Sequence, residues 1–203
     1  MGIYEFAGCV VSYEPLYGLL RRRMETYRSD TERQPDITLD GTKEDYEKLR
    51  KQYPHLSIEE CEYSCAGAEF YMKLLKHQGF MIHASAVEKE GKAYLFSAPS
   101  GTGKSTHAQL WRQTFKGEPI RIINDDKPAV CLQNGVFYAC GTPFSGKTDK
   151  NENRKAPIQG LCMLHRGKTN KIQKITSGEA LPLILPQTLF TEMKKRRICC
   201  SLF

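Results

Sequence analysis

The chain has 203 residues, 40% of them hydrophobic, with 30 Lys and Arg against 23 Asp and Glu and a formal net charge of +7. That length and apolar content predict one domain, or one domain with a small N-terminal extension, able to bury a core. The modest basic excess suits phosphorylated ligands; the absence of a module of interleaved aromatics argues against a nucleic-acid partner, and no apolar run reaches the length that spans a bilayer. Cysteines at positions 9, 61, 65, 131, 140, 162, 199 and 200 form no C-x-x-C, and no histidine stands at zinc spacing from them. Met1 is followed by Gly-Ile-Tyr-Glu and not by a basic and then apolar leader. The cysteines therefore read as reduced thiols of a cytoplasmic protein, mostly small core residues.

Residues 3 to 12 read as one strand with a kink or bulge at Gly8, closed by Pro15. Leu16 to Tyr27 sets Leu16, Leu19, Leu20 and Met24 on one helical face, and Arg21, Arg22 and Arg23 read either as a solvated face, the commoner use, or as a gathering point for an anion. Ser29 to Pro35 is a polar connector, Asp36 to Leu39 a short strand and Thr42 to Gln52 a charged helix. Thr42 to Asp45 (TKED) mimics a guanine-reading motif but precedes the glycine turn at 97–103, so it reads as a helix start. Ser57 to Gln78 carries the clearest helical pattern: Ser57 and Glu60 form a capping box, Ile58, Cys61, Cys65, Ala68, Met72 and Leu75 predict the buried stripe, and Gly79 ends it. Residues 1–79 thus form an N-terminal α+β support for the rest of the chain.

The core, 80–190, is organised around Phe80 to Thr106. Ala93 to Phe96 is a compact strand, Ser97 to Gly103 a turn of small residues, and Lys104, Ser105 and Thr106 open a helix, which is the context a phosphate-binding loop requires. Backbone N–H groups can hold a triphosphate only where no side chain blocks the approach. Ser100, Gly101, Thr102 and Gly103 supply that backbone, and the helix start directs its unpaired N–H groups and positive dipole end at the anion. Lys104 would reach the β and γ phosphates, and Ser105 would give its hydroxyl to Mg²⁺. In the pattern G-x-x-x-x-G-K-[ST] the first glycine is Ala98, which has room if its backbone angles are ordinary.

From Lys104 the helix carries Ala108, Trp111 and Phe115 as one apolar stripe and is stopped by Gly117 and Pro119. The strand Ile120 to Ile123 ends in Asn124-Asp125-Asp126, and the strand, helix, strand order puts it beside the loop's own strand. Two carboxylates there can hold Mg²⁺ and take a proton from an attacking hydroxyl, while a plain Asp-Asp turn is the other reading. Ala129 to Leu132 and Val136 to Cys140 form a hairpin around Asn134-Gly135. The loop Gly141 to Lys147 either wraps a phosphate or acceptor, with Lys147 and Arg154 as its cations, or is an ordinary basic loop. Ile158 to Leu164 and Lys171 to Ile175 read as a strand pair around Arg166-Gly167, and Ser177 starts a short helix. Residues 191–203 are a basic tail whose last four residues formally match a prenylation box, although Ser201 is not aliphatic.

The run His83 to Ala86 (HASA), Ala98 to Ser105 and Asn124 to Asp126 together resemble the nucleotide-binding core shared by HPr kinase/phosphatase and phosphoenolpyruvate carboxykinase. With Gly141 to Lys147, Asn153-Arg154 and Ala156-Pro157, the stretch Ile82 to Leu164 resembles short bacterial HPr-kinase-like proteins, some associated with peptide modification. The resemblance implies an α/β fold with a mixed central sheet, ATP and Mg²⁺ as cofactors, and phosphoryl transfer to a hydroxyl, foremost a Ser or Thr of a protein or peptide. It implies Asp125 as the acid acting on that hydroxyl, Asp126 as its metal-associated neighbour, and His83 as a histidine near the transferred phosphate or a metal ligand. Such enzymes form larger assemblies, so a homo-oligomer is an open expectation. A kinase for a small hydroxylated metabolite and a nucleotide-binding regulatory protein, its end truncated relative to the closer group, remain as alternatives.

Overall fold

Ala7 and Gly8 both take left-handed backbone, with φ of 53° and 79°. Two such residues in succession match the twist of a tight hairpin, so the stretch expected as one kinked strand is two, β1 (Gly2–Phe6) and β2 (Cys9–Tyr13), paired Phe6 to Cys9. The computed structural model describes residues 1–189; the basic tail and its formal prenylation box lie outside them. A short strand, β3 (Ile37–Thr38), pairs in parallel with β2 and completes a three-stranded sheet.

Helix α1 (Gly18–Met24) runs into a 3-10 turn, Glu25–Tyr27, and buries Leu20, Met24 and Tyr27, while Leu16 stays exposed outside it. Thr42 and Asp45 make a full capping box at the start of α2 (Lys43–Gln52), as do Ser57 and Glu60 at α3 (Ile58–Leu74). The buried face of α3 differs from the expected stripe. Tyr63, Ala66, Gly67, Phe70, Tyr71 and Leu74 are buried, whereas Ala68 and Met72 are only half-buried and Leu75 is exposed. The cause is that α3 is covered on two sides: Cys61 packs with Tyr46 and Leu49 of α2, and the aromatic side enters the main core. One stripe cannot describe a helix buried twice. A 3-10 turn, Leu75–His77, and left-handed Gln78 end it, and Gly79 opens the next strand.

The larger sheet has seven strands: β4 (Gly79–Met81), β5 (Ala84–Lys89), β6 (Lys92–Ser97), β7 (Arg121–Asn124), β8 (Ala129–Gln133), β9 (Val136–Cys140) and β10 (Lys155–Met163). Their order is β4-β8-β9-β10-β6-β5-β7, with β10 and β6 parallel and the remaining pairs antiparallel. The protein is mixed α/β. Strand β5 lies between β6 and β7, so the expected adjacency of the loop's strand and the carboxylate strand is not met. Because β5 is antiparallel to both, β6 and β7 still run the same way and end at the same edge.

Asn134 (φ 50°) and Gly135 (φ 78°) form the expected hairpin turn between β8 and β9. The expected pair Ile158 to Leu164 with Lys171 to Ile175 does not form: β10 starts earlier, pairing with β9 through Lys155, Ala156 and Pro157 and then with β6 from Ile158 to Met163, and the exposed residues 171–175 are not a strand. Helix α4 (Lys104–Thr114) packs on β5 and β6, with the Trp111 ring tilted against Tyr94 at 4.9 Å between centroids and Phe115 just past its end. Helix α5 (Ser177–Ile184) starts at Ser177 as expected and is capped by Thr176 with Glu179.

One apolar cluster, including Phe6, Tyr27, Phe70, Tyr71, Met81 and Phe144, joins the small sheet to the large one through α3. The N-terminal segment is therefore half of a shared core, a tie made by large buried rings worth about 3–5 kcal/mol each on truncation. Of the six described cysteines, Cys9, Cys61, Cys131 and Cys140 are buried among apolar side chains. Among the described residues, no helix is long and apolar enough to cross a membrane.

Candidate functional site

The segment between β6 and α4 turns on two glycines. Gly101 (φ 77°) and Gly103 (φ 115°) sit in a region that side-chain-bearing residues resist, yet a Cβ at either would meet nothing within 4 Å. Their role is backbone shape beside open space. Ala98 is fully buried with ordinary φ, which answers the missing first glycine. No side chain caps α4, so the amides of its first turn remain for an outside acceptor. Lys104 is 7% exposed and its Nζ donates to the Ala98 carbonyl at 2.9 Å. Burial pushes the Lys104 pKa down, against the pull of Asp126 and Asp125.

Strand β7 ends at Asn124, whose Oδ1 accepts from the amides of Asp126 (3.0 Å) and Lys127 (2.8 Å). The turn is made by the Asn124 side chain and not by either Asp carboxylate, and it sends the two carboxylates to different partners. Asp125 is 2% exposed; Ser85 Oγ donates to its Oδ1 at 2.8 Å and Thr148 Oγ1 to its Oδ2 at 3.0 Å. Asp126 Oδ1 lies 3.2 Å from His83 Nε2, and its Oδ2 lies 3.0 Å from Lys127 Nζ. Burial alone would raise the Asp126 pKa, but the His83 bond and the Lys127 ammonium outweigh it and hold the carboxyl well below the usual range. His83 is itself fixed through its main chain, its carbonyl accepting from Ser97 Oγ at 2.8 Å and its amide donating to the Gln187 carbonyl at 2.7 Å.

His83, Ser100, Ser105, Asp125 and Asp126 line one cleft of about 700 Å³ together with Lys147. Lys104 is buried beside it, within electrostatic reach of both acids. Thr102 and Thr106 belong to the same loop and helix start but are not lining residues. The cleft is closed on one side by residues 141–148. Phe144 is 1% exposed among Tyr63, Phe70 and Tyr71, and Gly146 lies so close to Asp126 that a Cβ there would be 2.7 Å from Oδ2. Lys147 is exposed and makes no ion pair among the described residues.

Arg154 is not brought to this cleft. Its Nε and Nη2 donate to Glu88 Oε2 (2.8 Å) and Oε1 (3.0 Å), and it lines a separate cavity of about 500 Å³ with Glu5, Arg33 and Lys155. Glu88 is 9% exposed, and a carboxylate so buried holds a cation in place.

Several cleft residues were not singled out from the sequence. Ser85 stands within the HASA run, Lys127 follows the Asp pair, and Thr148 follows Lys147, so proximity to a motif was the available signal. Arg23 departs from its two arginine neighbours: only its side chain is 9% exposed, on the cleft wall over the Tyr63 ring. Nothing local in the sequence marks that difference.

Among the described residues no group of three or more His, Cys, Asp or Glu is arranged to hold a metal unaided. A scan against protein-family models matches no family, and a search of curated proteins finds no match. Open amides, a buried ammonium and two differently partnered carboxylates around one cleft can together bind an anion and accept a proton.

Proposed function

We propose that the protein is an ATP- and Mg²⁺-dependent phosphotransferase with a P-loop core of the HPr kinase and phosphoenolpyruvate carboxykinase type, acting in the cytoplasm. It transfers the γ-phosphate to a hydroxyl, foremost a Ser or Thr of a protein or peptide. One observation carries the reading: left-handed Gly101 and Gly103 leave open space before the uncapped start of α4, and Ser105, Asp125 and Asp126 line the adjoining cleft.

The residues fit the cation. Mg²⁺ takes hard oxygen ligands, keeps several waters, and is commonly held by one or two carboxylates plus nucleotide phosphates, so no cage of three protein ligands is needed. Asp126, held ionised by His83 and Lys127, and the Ser105 hydroxyl are such donors. When bound, the ion would offset phosphate charge. Lys104 neutralises charge on the transferred group from the buried side. Among the described residues the Asp125 carboxylate receives neutral hydroxyl donors, Ser85 and Thr148, one on each oxygen, which leaves each oxygen a lone pair. It therefore serves as the acceptor of the substrate hydroxyl's proton, with Ser85 and Thr148 fixing its orientation. A second reading, a kinase for a small hydroxylated metabolite, is favoured by the cleft's volume of about 700 Å³, which is that of a small-ligand site.

The test is label transfer from γ-labelled ATP to candidate peptides and polyols. Asp125→Asn is expected to lower transfer by roughly 10²–10⁴-fold while leaving nucleotide affinity intact. Equal loss of both would make Asp125 a metal ligand and not a base, and label recovered only as free phosphate in every mixture would favour a nucleotide-binding regulatory protein.

A further inference from the structure

Opposite the glycine loop, the cleft wall holds a cation whose bonding is unfinished. Arg23 is fixed by the way α1 is hung on α3: the buried Glu62 accepts from the amides of Leu16 (2.5 Å) and Tyr17 (3.0 Å), and Glu59 accepts from that of Gly18 (3.1 Å). This brings the Arg23 guanidinium 4.8 Å above the Tyr63 ring, with its side chain 9% exposed. A guanidinium has five N–H donors. Nη2 donates to the Gly146 carbonyl at 2.8 Å; Nε is buried and ion-paired with Asp149 Oδ1 at 3.2 Å, but makes no aligned hydrogen bond among the described residues.

The 3-10 turn Gly146–Thr148 spans from this arginine to the proposed base. Arg23 holds the carbonyl at its first residue, Thr148 at its last donates to Asp125, and Lys147 between them is exposed and unpaired among the described residues. One short turn thus ties the cation and the base to the same wall of the cleft. The opposing charge at this end is Asp149, itself 53% exposed, also bonded to Ser145 and outside the cleft lining; Glu60, which does line the wall, is occupied in its capping box with Ser57.

Resting on the phosphotransferase reading, we propose that Arg23 and Lys147 form an anion subsite for the acceptor, which carries a carboxylate or phosphate group besides the hydroxyl it presents to Asp125. Arg23 supplies the planar donors and Lys147 a mobile charge. A neutral alcohol would offer these two cations no opposing charge.

The experiment titrates glycerol, glycerate and glycerol 3-phosphate into the full chain and follows binding by NMR, in wild type and in a Lys104→Ala background that removes the competing loop. Glycerate, glycerol 3-phosphate or both are expected to bind at least about tenfold more tightly than glycerol in either background, the tighter anion identifying the preferred group. Arg23→Met and Lys147→Met are each expected to erase that preference, and Arg23→Lys to restore part of it. Lys147, exposed and unpaired, can be changed without disturbing the fold, so a folding defect in Arg23→Met does not remove the test. Equal binding of all three probes, no binding of either anion, loss of anion binding in Lys104→Ala, or unchanged binding in Lys147→Met and folded Arg23→Met would overturn the proposal. ATP titrated into the same samples separates the two readings: anion binding without ATP binding removes the kinase and keeps the subsite, and the reverse does the opposite.

Discussion

Ser100 to Lys104 (SGTGK) and Gly141 to Lys147 (GTPFSGK) carry nearly the same letters and use them in opposite ways. In the first, both glycines have left-handed φ, the space where a Cβ would stand is open, and the lysine is buried. In the second, a Cβ on Gly141 would lie 1.8 Å from the Glu152 carbonyl oxygen, Phe144 is sealed among aromatic rings, and the lysine is exposed. One segment keeps volume free for something that is not protein; the other fills volume to hold the carboxylates still. A glycine-rich string is thus ambiguous until its surroundings are known, because glycine answers equally to backbone shape and to crowding.

This contrast can be broken by substitution. Gly141→Ala has the largest expected effect: a Cβ forced into a backbone carbonyl should cost about 3 kcal/mol, read as a lowered urea midpoint, and an unchanged midpoint would mean the segment is not packed as described. Gly101→Ala should cost only about 1 kcal/mol, from the left-handed φ alone, yet weaken ATP binding out of proportion to that loss. If instead it destabilised as much as Gly141→Ala, the two segments would not differ in kind.

The smallest effect belongs to acid stability on the packed side. The Asp126 carboxyl is held below its ordinary value, so its contribution is fully present above about pH 4 and is lost as pH falls through the lowered folded value. Asp126→Asn should therefore be less stable than wild type near neutrality, with the difference shrinking below about pH 4. A difference independent of pH would show that His83 and Lys127 do not act on it as a charge.

Much of this molecule was legible in its residues wherever a local rule applied. The capping boxes at Thr42 and Ser57, the Asn134-Gly135 hairpin and the strand, glycine turn, helix sequence at 92–114 each depend on neighbours in the chain. Legibility failed where the deciding partner was distant. The Ala7-Gly8 turn looked like a kink because alanine rarely accepts positive φ. Strand β5 took β7 on its outer edge and β10 took β6 from Ile158 onward, pairings between residues far apart in the chain. At the site, Asp125, Asp126, His83, Ser105 and Lys147 share the cleft, but Arg154 was drawn away by Glu88, 66 residues earlier, and Arg23 was drawn in by Tyr63. Pairings of charge across the fold, unlike caps and turns, leave no periodic trace.

Calorimetric titration of ATP with Mg²⁺ into wild type, Lys104→Ala and Lys147→Ala tests the central claim most directly. Binding by wild type, a loss of about a hundredfold or more in Lys104→Ala, and near-wild-type affinity in Lys147→Ala are the predicted results. No binding by wild type, or equal binding by wild type and Lys104→Ala, would contradict the account of residues 98–105 as a nucleotide cradle.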